Sequence, residues 1–370
     1  MSDLDVVILA AGKGTRMYSD IPKVLHPLAG RPMLAHVIAA ARALSARRII
    51  VVCGHGAEQV SEMFHAPDIE LVRQEPQLGT SHAVQQALPL LDSNVTLVLY
   101  GDVPLVRVST LKRLISTGAP LSLLTAQLDD PSGYGRIVRD HAGQVIKIVE
   151  EKDAAARDRR IREVNTGLMA VATDRLRQWL DRIGNKNAQG EYYLTDIAEL
   201  AVGERQPVET VEPEAYFEVL GINSQAQLAR VERILQWETA QALMNQGVAI
   251  ADPARIDVRG DLLCGRDVSI DVGCVFEGKV VLSDRVSIGA HCVIRNAHIG
   301  PASAVLPFSH IDDVTMGTHC RVGPYARLRP QTRLANEVHV GNFVEIKASE
   351  IGEKSKTNHL TYIGDTSIGR

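Results

Sequence analysis

The sequence predicts two regions in tandem: an α/β layer domain with a mostly parallel sheet, then a parallel β-helix of hexapeptide repeats. Through roughly residue 220, short apolar runs alternate with amphipathic stretches, the pattern of alternating strand and helix. Beyond residue 248 one aliphatic recurs every six residues, which is neither a helical period nor strand alternation. Between the two, 224–247 carries the spacing of one long helix.

In the first region Asp5–Ala10 (DVVILA), Arg48–Val52 and Thr96–Leu99 read as buried strands. Met33–Leu44, Ser81–Leu91 and Val108–Ile115 show helical spacing. Parallel sheets bind ligands beyond the carboxyl ends of their strands, so the loops that follow these strands are the candidate site. In the connecting helix Ser224 is the expected N-cap, Leu228, Val231, Leu235 and Leu243 the buried face, and Gly247 the stop. The repeat then runs Val258, Cys264, Ile270, Phe276, Leu282, Ile288, Ile294; after a five-residue step Ile299, Val305, Ile311; and after another Met316, Val322, Leu328, Leu334, Val340, Ile346. Each hexapeptide forms one flat side of a triangular coil, its aliphatic pointing inward. No coil buries its own core, so only the stack is stable. The expected boundaries are 1–223, the helix 224–247, and 248–370.

Composition narrows the function classes. The 370 residues are too many for one ordinary domain. Hydrophobic and charged fractions of 45% and 23% exclude disorder and coiled coil as overall descriptions. Forty basic against 44 acidic residues leave a net charge of −4, so no bulk field favours nucleic acid or an anionic membrane. Any bound anion must be held by a local site. Five cysteines form no C-x-x-C pair, and Cys264, Cys274, Cys292 and Cys320 are expected as buried thiols. No apolar run reaches the ~20 residues of a spanning helix, and Met1-Ser2-Asp3 lacks a basic leader. A cytoplasmic protein without membrane insertion is expected.

The first strand runs into Leu9-Ala10-Ala11-Gly12-Lys13-Gly14-Thr15-Arg16-Met17. A glycine-rich turn after a strand lets backbone N–H groups approach phosphate oxygens, with Arg16 to neutralise charge. A dinucleotide fingerprint would need a small residue at Met17 and an acid near Pro32. A P-loop would need Ser or Thr after Lys13 and glycine at Val7. A second basic element, Pro22-Lys23-Val24-Leu25, follows a loop able to fold back over the phosphates. LAAGKGTRM followed by PKVL resembles the sugar-nucleotide pyrophosphorylases, which join a sugar 1-phosphate to a nucleoside triphosphate.

Further along, Gln74 to Thr80 (QEPQLGT) enters a helix, and its amides can read a base edge. Tyr100-Gly101-Asp102 closes a strand with a carboxylate suited to a hard cation. Gly133 to Arg136, Val149 to Lys152, Val164 to Gly167 and Gly221 to Asn223 are polar or small-residue punctuations suited to a sugar. In the repeat, Arg329, Lys347, His359 and Tyr362 interrupt regular coils with functional groups. Arg329 and Lys347 could clamp a sugar phosphate, and His359 could take a proton from an amine near neutral pH.

That order of motifs, joined by a long helix to a hexapeptide β-helix, resembles the bacterial bifunctional GlmU family over essentially all 370 residues. The family combines N-acetylglucosamine-1-phosphate uridyltransferase and glucosamine-1-phosphate acetyltransferase activities. The resemblance implies a Rossmann-like α/β nucleotidyltransferase domain, a left-handed parallel β-helix, and a homotrimer. Uridine and phosphate contacts are implied at Leu9, Ala10, Ala11, Gly12, Lys23, Gln74, Gly79 and Thr80, continuing through Tyr100, Gly101 and Asp102. Arg16 and Lys23 promote turnover. Gly135, Glu150 and Asn165 hold N-acetylglucosamine, and Asp102 and Asn223 are the Mg²⁺ ligands. UTP and N-acetylglucosamine 1-phosphate would give UDP-N-acetylglucosamine, a cell-wall and lipopolysaccharide precursor. The second activity would use acetyl-CoA and glucosamine 1-phosphate with Arg329, Lys347, Tyr362 and the catalytic His359. Family members continue beyond the position of Arg370, so a chain ending there is expected to acetylate weakly or not at all. A non-catalytic regulatory subunit of the same architecture is the rival reading; it could lose Arg16, Lys23, Asp102 and Asn223, which are all present.

Overall fold

Leu4–Ala10, a seven-residue run buried at every position, forms the central strand β1 of the first sheet. Burial on both faces requires helices above and below, and the sequence supplies them. The computed structural model describes residues 3–370. Two compact units emerge: the described residues up to His26 together with Pro32–Leu228, and Pro27–Arg31 together with Ala229–Arg370.

In the first unit the strands are β1, β2 (Arg48–Cys53), β3 (Ile69–Arg73), β4 (Val95–Tyr100), β5 (Leu121–Gln127), β6 (Gly135–Arg139), β7 (Val145–Val149), β8 (Glu163–Ala172) and β9 (Val208–Val211). They make one sheet in the order β9-β5-β8-β4-β1-β2-β3, with β6 attached at β8 and β7 at β6. The pairs β1–β2, β1–β4, β2–β3 and β9–β5 are parallel. Strand β8 runs antiparallel to β4, β5 and β6, β7 runs antiparallel to β6, and the register of β8 against β5 breaks between Asn165 and Met169. The helices are α1 (Met33–Ala43), α2 (Ala57–Met63), α3 (Thr80–Ala87), α4 (Val108–Ile115), α5 (Thr173–Leu180) and α6 (Ile197–Gly203). Two aliphatic clusters cover the sheet, one including Val6, Ile8, Leu97 and Leu99, the other Val7, Val98 and Trp179. The helix expected over 81–91 is shorter. It ends at Ala87, and Leu88–Leu90 continue as a 3₁₀ turn around Pro89, whose missing N–H cannot sustain the α-helical ladder.

Helix α7 (Gln225–Asn245) is seeded by Ser224, whose Oγ accepts from Gln227 N at 3.3 Å. Its buried face differs from the expected one. Val231 and Leu243 are buried, but Leu228 and Leu235 are only partly covered, and Gln236 is 2% exposed. The Gln236 amide donates to Val258 O at 2.9 Å and accepts from Val258 N at 2.7 Å. It thereby satisfies backbone groups at the open edge of the first coil. Ala240 and Leu243 pack into the apolar interior of the coils.

The second unit is a parallel β-helix. Ile288 pairs with Val305, Val305 with Val322 and Val322 with Val340, so one coil consumes 17 or 18 residues. Every aliphatic of the expected ladder is buried except Cys264, which is half-exposed in the coil nearest α7. A second inward ladder sits two residues before the first. From Val268 to Ser349 it is buried throughout and mixes Val268, Val286, Val314 and Val338 with small residues, among them Cys274, Cys292, Ala297, Ser303, Ser309, Cys320 and Ala326. Their polar hydrogens reach turn carbonyls: Cys274 Sγ to Gly289 O and Cys292 Sγ to Leu306 O, each at 3.2 Å, and Ser303 Oγ to Gly317 O at 3.0 Å. Burial pushes the Cys292 thiol up to about 12, so these sulfurs are packing groups rather than nucleophiles. Corner residues adopt positive φ, among them His291, Phe308, Tyr325 and Phe343, whose rings stack 5.0–5.3 Å apart along one edge.

Candidate functional site

A cavity of about 460 Å³ opens in the first unit at the carboxyl ends of β1 and β4, where an open α/β sheet places its ligands. Strand β1 delivers Leu9, Ala10, Ala11 and Gly12 to the wall, and β4 delivers Tyr100 and Asp102. Gly101 locks the two together, its N–H donating to Leu9 O at 2.9 Å. Lys23, Gln74, Gly79 and Thr80 complete the sequence-derived part of the lining. Arg16 stands apart, exposed on the 3₁₀ turn Thr15–Met17.

The cationic end is a three-residue cluster. Lys23 Nζ donates to Asp102 Oδ2 and, at 3.0 Å, to Asn223 Oδ1. Asn223 is 121 residues further along than Asp102, and a backbone bond explains the meeting: Ile222 N donates to Asp102 O at 2.9 Å. Lys23 and Asp102 side chains are only 11% and 15% exposed, so the pair is poorly screened. Two oxygen donors from distant segments thus converge on one cation. A carboxylate and an amide oxygen, with room left for water and phosphate, are also the donor set of a Mg²⁺ site. No group of three His, Cys, Asp or Glu suited to a metal occurs among the described residues, so such an ion would depend on substrate oxygens.

At the other end, the loop after β3 turns Gln74 inward. Gln74 N donates to Cys53 O at 2.7 Å, and the Gln74 side-chain amide donates to Gly79 O at 2.9 Å. Gly79 has φ +118°, and a Cβ there would lie 2.5 Å from Tyr192 O. Only glycine allows that approach. Gln77 Nε2 donates to Ala11 O at 2.5 Å and ties this loop to the glycine-rich turn.

Gly135, Glu150 and Asn165 also come together. Gly135 pairs with Asn165 across β6 and β8, and a Cβ on Gly135 would touch both Glu150 carboxylate oxygens at 3.5 Å. Arg136, 2% exposed, pairs with Glu151 at 2.7 Å and fixes the strand that carries Gly135. Burial raises the Glu150 carboxyl above its ordinary range, while the Thr195 hydroxyl, donating at 2.9 Å, opposes the rise. Tyr100 links the two ends. Its hydroxyl is held well above the ordinary phenol range by burial first, then by Glu150 and Asp102. Gly167, at φ +87°, leaves room for that ring: a Cβ would lie 2.6 Å from Tyr100 Cε2.

Ala83 and Glu191, which the sequence did not single out, also line the cavity, as do Lys13, Val24 and Gln77 from the quoted motifs. Tyr192 grips the loop after β3 through its backbone, its N–H donating to Leu78 O at 2.8 Å and its carbonyl accepting from Ser81 N at 2.9 Å. Leu194 N donates to Thr80 Oγ1 at 3.0 Å. The available signal was Glu191-Tyr192-Tyr193-Leu194-Thr195-Asp196, a polar and aromatic cluster in a chain with 4% aromatics.

In the second unit Arg329, Lys347 and Tyr362 lie on three consecutive coils of one sheet. His359 sits on the neighbouring sheet, paired with Asn342 and exposed. Both cations already have partners, Arg329 with Glu345 at 3.0 Å and Lys347 with Asp365 at 3.6 Å. Tyr362 is 61% exposed.

Residues 6–182 match the model of a MobA-like NTP transferase domain, and residues 258–368 match a GMPPB C-terminal domain. A curated relative from Aromatoleum aromaticum, named bifunctional protein GlmU, is 60% identical over 370 residues, covering 99% of this chain and 81% of its own. The chain belongs to the GlmU family. A second GlmU relative, from Azoarcus sp. strain BH72, is also 60% identical, with 82% of its length covered. Membership makes this GlmU-family chain a nucleotidyltransferase, and the regulatory-subunit reading is not favoured. A solved UDP-glucose pyrophosphorylase in complex with UDP-glucose aligns over 62% of this chain and 97% of its own, with TM-score 0.53 and 16% identity, a likeness of fold alone. Among the described residues no helix is long and apolar enough to cross a membrane.

Proposed function

We propose that the cavity transfers UMP from UTP to N-acetylglucosamine 1-phosphate, releasing pyrophosphate and UDP-N-acetylglucosamine. The observation that carries the reading is the convergence of Lys23, Asp102 and Asn223 between a base-reading end at Gln74 and a sugar end at Glu150 and Asn165. A phosphate oxygen of the sugar phosphate attacks the α-phosphorus. A P–O bond forms, the bond to the β-phosphate oxygen breaks, and pyrophosphate takes the electron pair. The attacking oxygen is already anionic, so no protein nucleophile or general base is needed. The chain's work is alignment and charge neutralisation. The turn from Leu9 to Gly12 offers backbone to the triphosphate, and Lys23 and Arg16 offer cations. Asp102 and Asn223 would hold Mg²⁺, which when bound would offset negative charge on the phosphates. Gly135, Glu150 and Asn165 would take the sugar hydroxyls and acetamide.

For the second unit the reading is acetyl transfer from acetyl-CoA to the amine of glucosamine 1-phosphate. The amine attacks the thioester carbon, and the C–S bond breaks with its electron pair leaving on the coenzyme A sulfur. His359 accepts the amine proton, which the thiolate takes up as coenzyme A departs, while Arg329 and Lys347 address the sugar phosphate and Tyr362 assists in holding the acceptor. Assembly as a homotrimer through the flat sides of the β-helix, in the cytoplasm where these substrates are made, belongs to the same reading. The test is pyrophosphate release from each of the four NTPs and dTTP with N-acetylglucosamine 1-phosphate, beside thiol release from acetyl-CoA. Release from UTP alone supports the first reading; equal release from all of them would overturn it.

A further inference from the structure

The Gln74 amide is held by more than the loop it belongs to. Its Nε2 lies 2.9 Å from Gly79 O and 3.2 Å from His82 Nδ1. A carbonyl oxygen can only accept, so the contact with Gly79 requires the NH₂ group on that side. An amide nitrogen has two N–H donors, and the second is within reach of His82 Nδ1, which accepts it when the ring proton sits on Nε2. His82 stands on α3 outside the cavity lining, and Gln86 Nε2 lies 3.1 Å from the ring's other nitrogen; the Nε2 proton of that tautomer calls for the Gln86 amide to turn its oxygen toward the ring. Both N–H groups of Gln74 are then committed, and the carbonyl Oε1 is the atom left for a ligand in the cavity that Gln74 lines. A lone acceptor suits the N3–H donor of uracil and opposes the N3 acceptor of cytosine.

We propose that His82 is a positioning residue for pyrimidine selection: its Nδ1 takes the second N–H of Gln74 and keeps the amide from turning its NH₂ toward the base. The inference rests on Gln74 as the base reader, and it adds a residue that need not touch substrate. Without the imidazole, Gly79 O still holds one N–H, but the amide loses the second restraint and can offer the base a donor by pivoting. A site built on one hydrogen bond discriminates sharply only while its polar group cannot re-aim.

The experiment measures kcat/KM for UTP and CTP in wild type, His82→Leu, His82→Asn, Gln74→Ala and the double variant Gln74→Ala/His82→Leu. Leucine keeps bulk without an acceptor, whereas asparagine places an oxygen near the position of Nδ1. His82→Leu should lower the UTP-over-CTP ratio at least about tenfold, mainly through the UTP KM, with kcat nearly unchanged. His82→Asn should stay within about threefold of wild type, and the double variant should match Gln74→Ala. If Gln74→Ala lowers the ratio but His82→Leu does not, the positioning role is overturned and the base reader stands. If Gln74→Ala leaves the ratio unchanged, both readings fall. Circular dichroism melting of each variant separates loss of fold from loss of selection, and equal losses for leucine and asparagine would also overturn the proposal.

Discussion

Replacing Lys23 by methionine keeps most of the side-chain volume and removes only the ammonium. In the structure that ammonium touches Asp102 and Asn223 together, with side chains 11% and 15% exposed for Lys23 and Asp102. Two effects follow, with opposite signs. The triphosphate loses a preorganised cation, a kind of loss that typically costs 10²- to 10³-fold in turnover, about 2.7–4 kcal/mol. The two oxygens meanwhile lose the cation that competes for them, so half-saturation by Mg²⁺ should move to lower concentration in the free protein. The uncompensated Asp102 carboxylate also weakens the fold, by up to about 3 kcal/mol for a pair this sheltered. The assay is pyrophosphate release across a Mg²⁺ titration, alongside metal binding by calorimetry without nucleotide and thermal melting. Turnover within threefold of wild type, or Mg²⁺ affinity weakened rather than strengthened, would refute the competition of Lys23 with Mg²⁺ for Asp102 and Asn223.

Three further outcomes are expected. Gly167→Ala forces a non-glycine residue to φ +87° and sets a methyl 2.6 Å from Tyr100; backbone strain alone costs about 1–2 kcal/mol. The sugar-phosphate KM should rise about tenfold with the melting temperature reduced, and unchanged kinetics would contradict the role given to the Tyr100 ring. Asp196 is pushed up to about 6 from 3.8 by burial first, then by Glu199, Glu150 and Asp153. The folded state therefore binds its proton more tightly than the unfolded chain, and stability falls as pH rises between those values. Asp196→Asn should melt higher than wild type above pH 6 and no higher below pH 4, as read by melting curves across that range. Ile311→Ala empties a fully buried position of the β-helix stack and should cost about 2–5 kcal/mol in denaturant unfolding, while leaving uridyl transfer at low denaturant unchanged.

Much of the fold was legible because single physical signals decided it. The run Val6–Leu9 is buried on both faces, so it needed no alternation to be read as a strand, and α4 has the expected bounds of 108–115. The six-residue ladder was equally plain, because a large aliphatic must fill each side of a coil. Its companion two residues earlier was less plain: Cys320 was expected as a buried thiol, but Ser303 points inward as fully as Ile299 does, and a serine does not register in a count of hydrophobics. Pro89 did mark the break in α3, and the helical spacing outweighed it in the sequence. In α7 the buried Gln236 was invisible because its role is to complete hydrogen bonds at a sheet edge. The site divides the same way. Leu9 to Gly12 announce themselves by following a strand, whereas Asn223 reaches Lys23 across 200 residues; the family resemblance paired Asn223 with Asp102 and did not put Lys23 between them. Tyr192 acts through its backbone, where side-chain type carries no information.

The most direct test follows the α-phosphorus itself. UTP labelled at that atom is incubated with N-acetylglucosamine 1-phosphate, Mg²⁺ and the protein, and products are resolved while pyrophosphate is counted. Transfer at the Lys23–Asp102–Asn223 cluster is expected to carry all consumed label into UDP-N-acetylglucosamine, one pyrophosphate per product, with no label left on the chain. Label appearing as UMP without sugar, or bound covalently to the protein, would contradict direct attack by the sugar phosphate in this cavity.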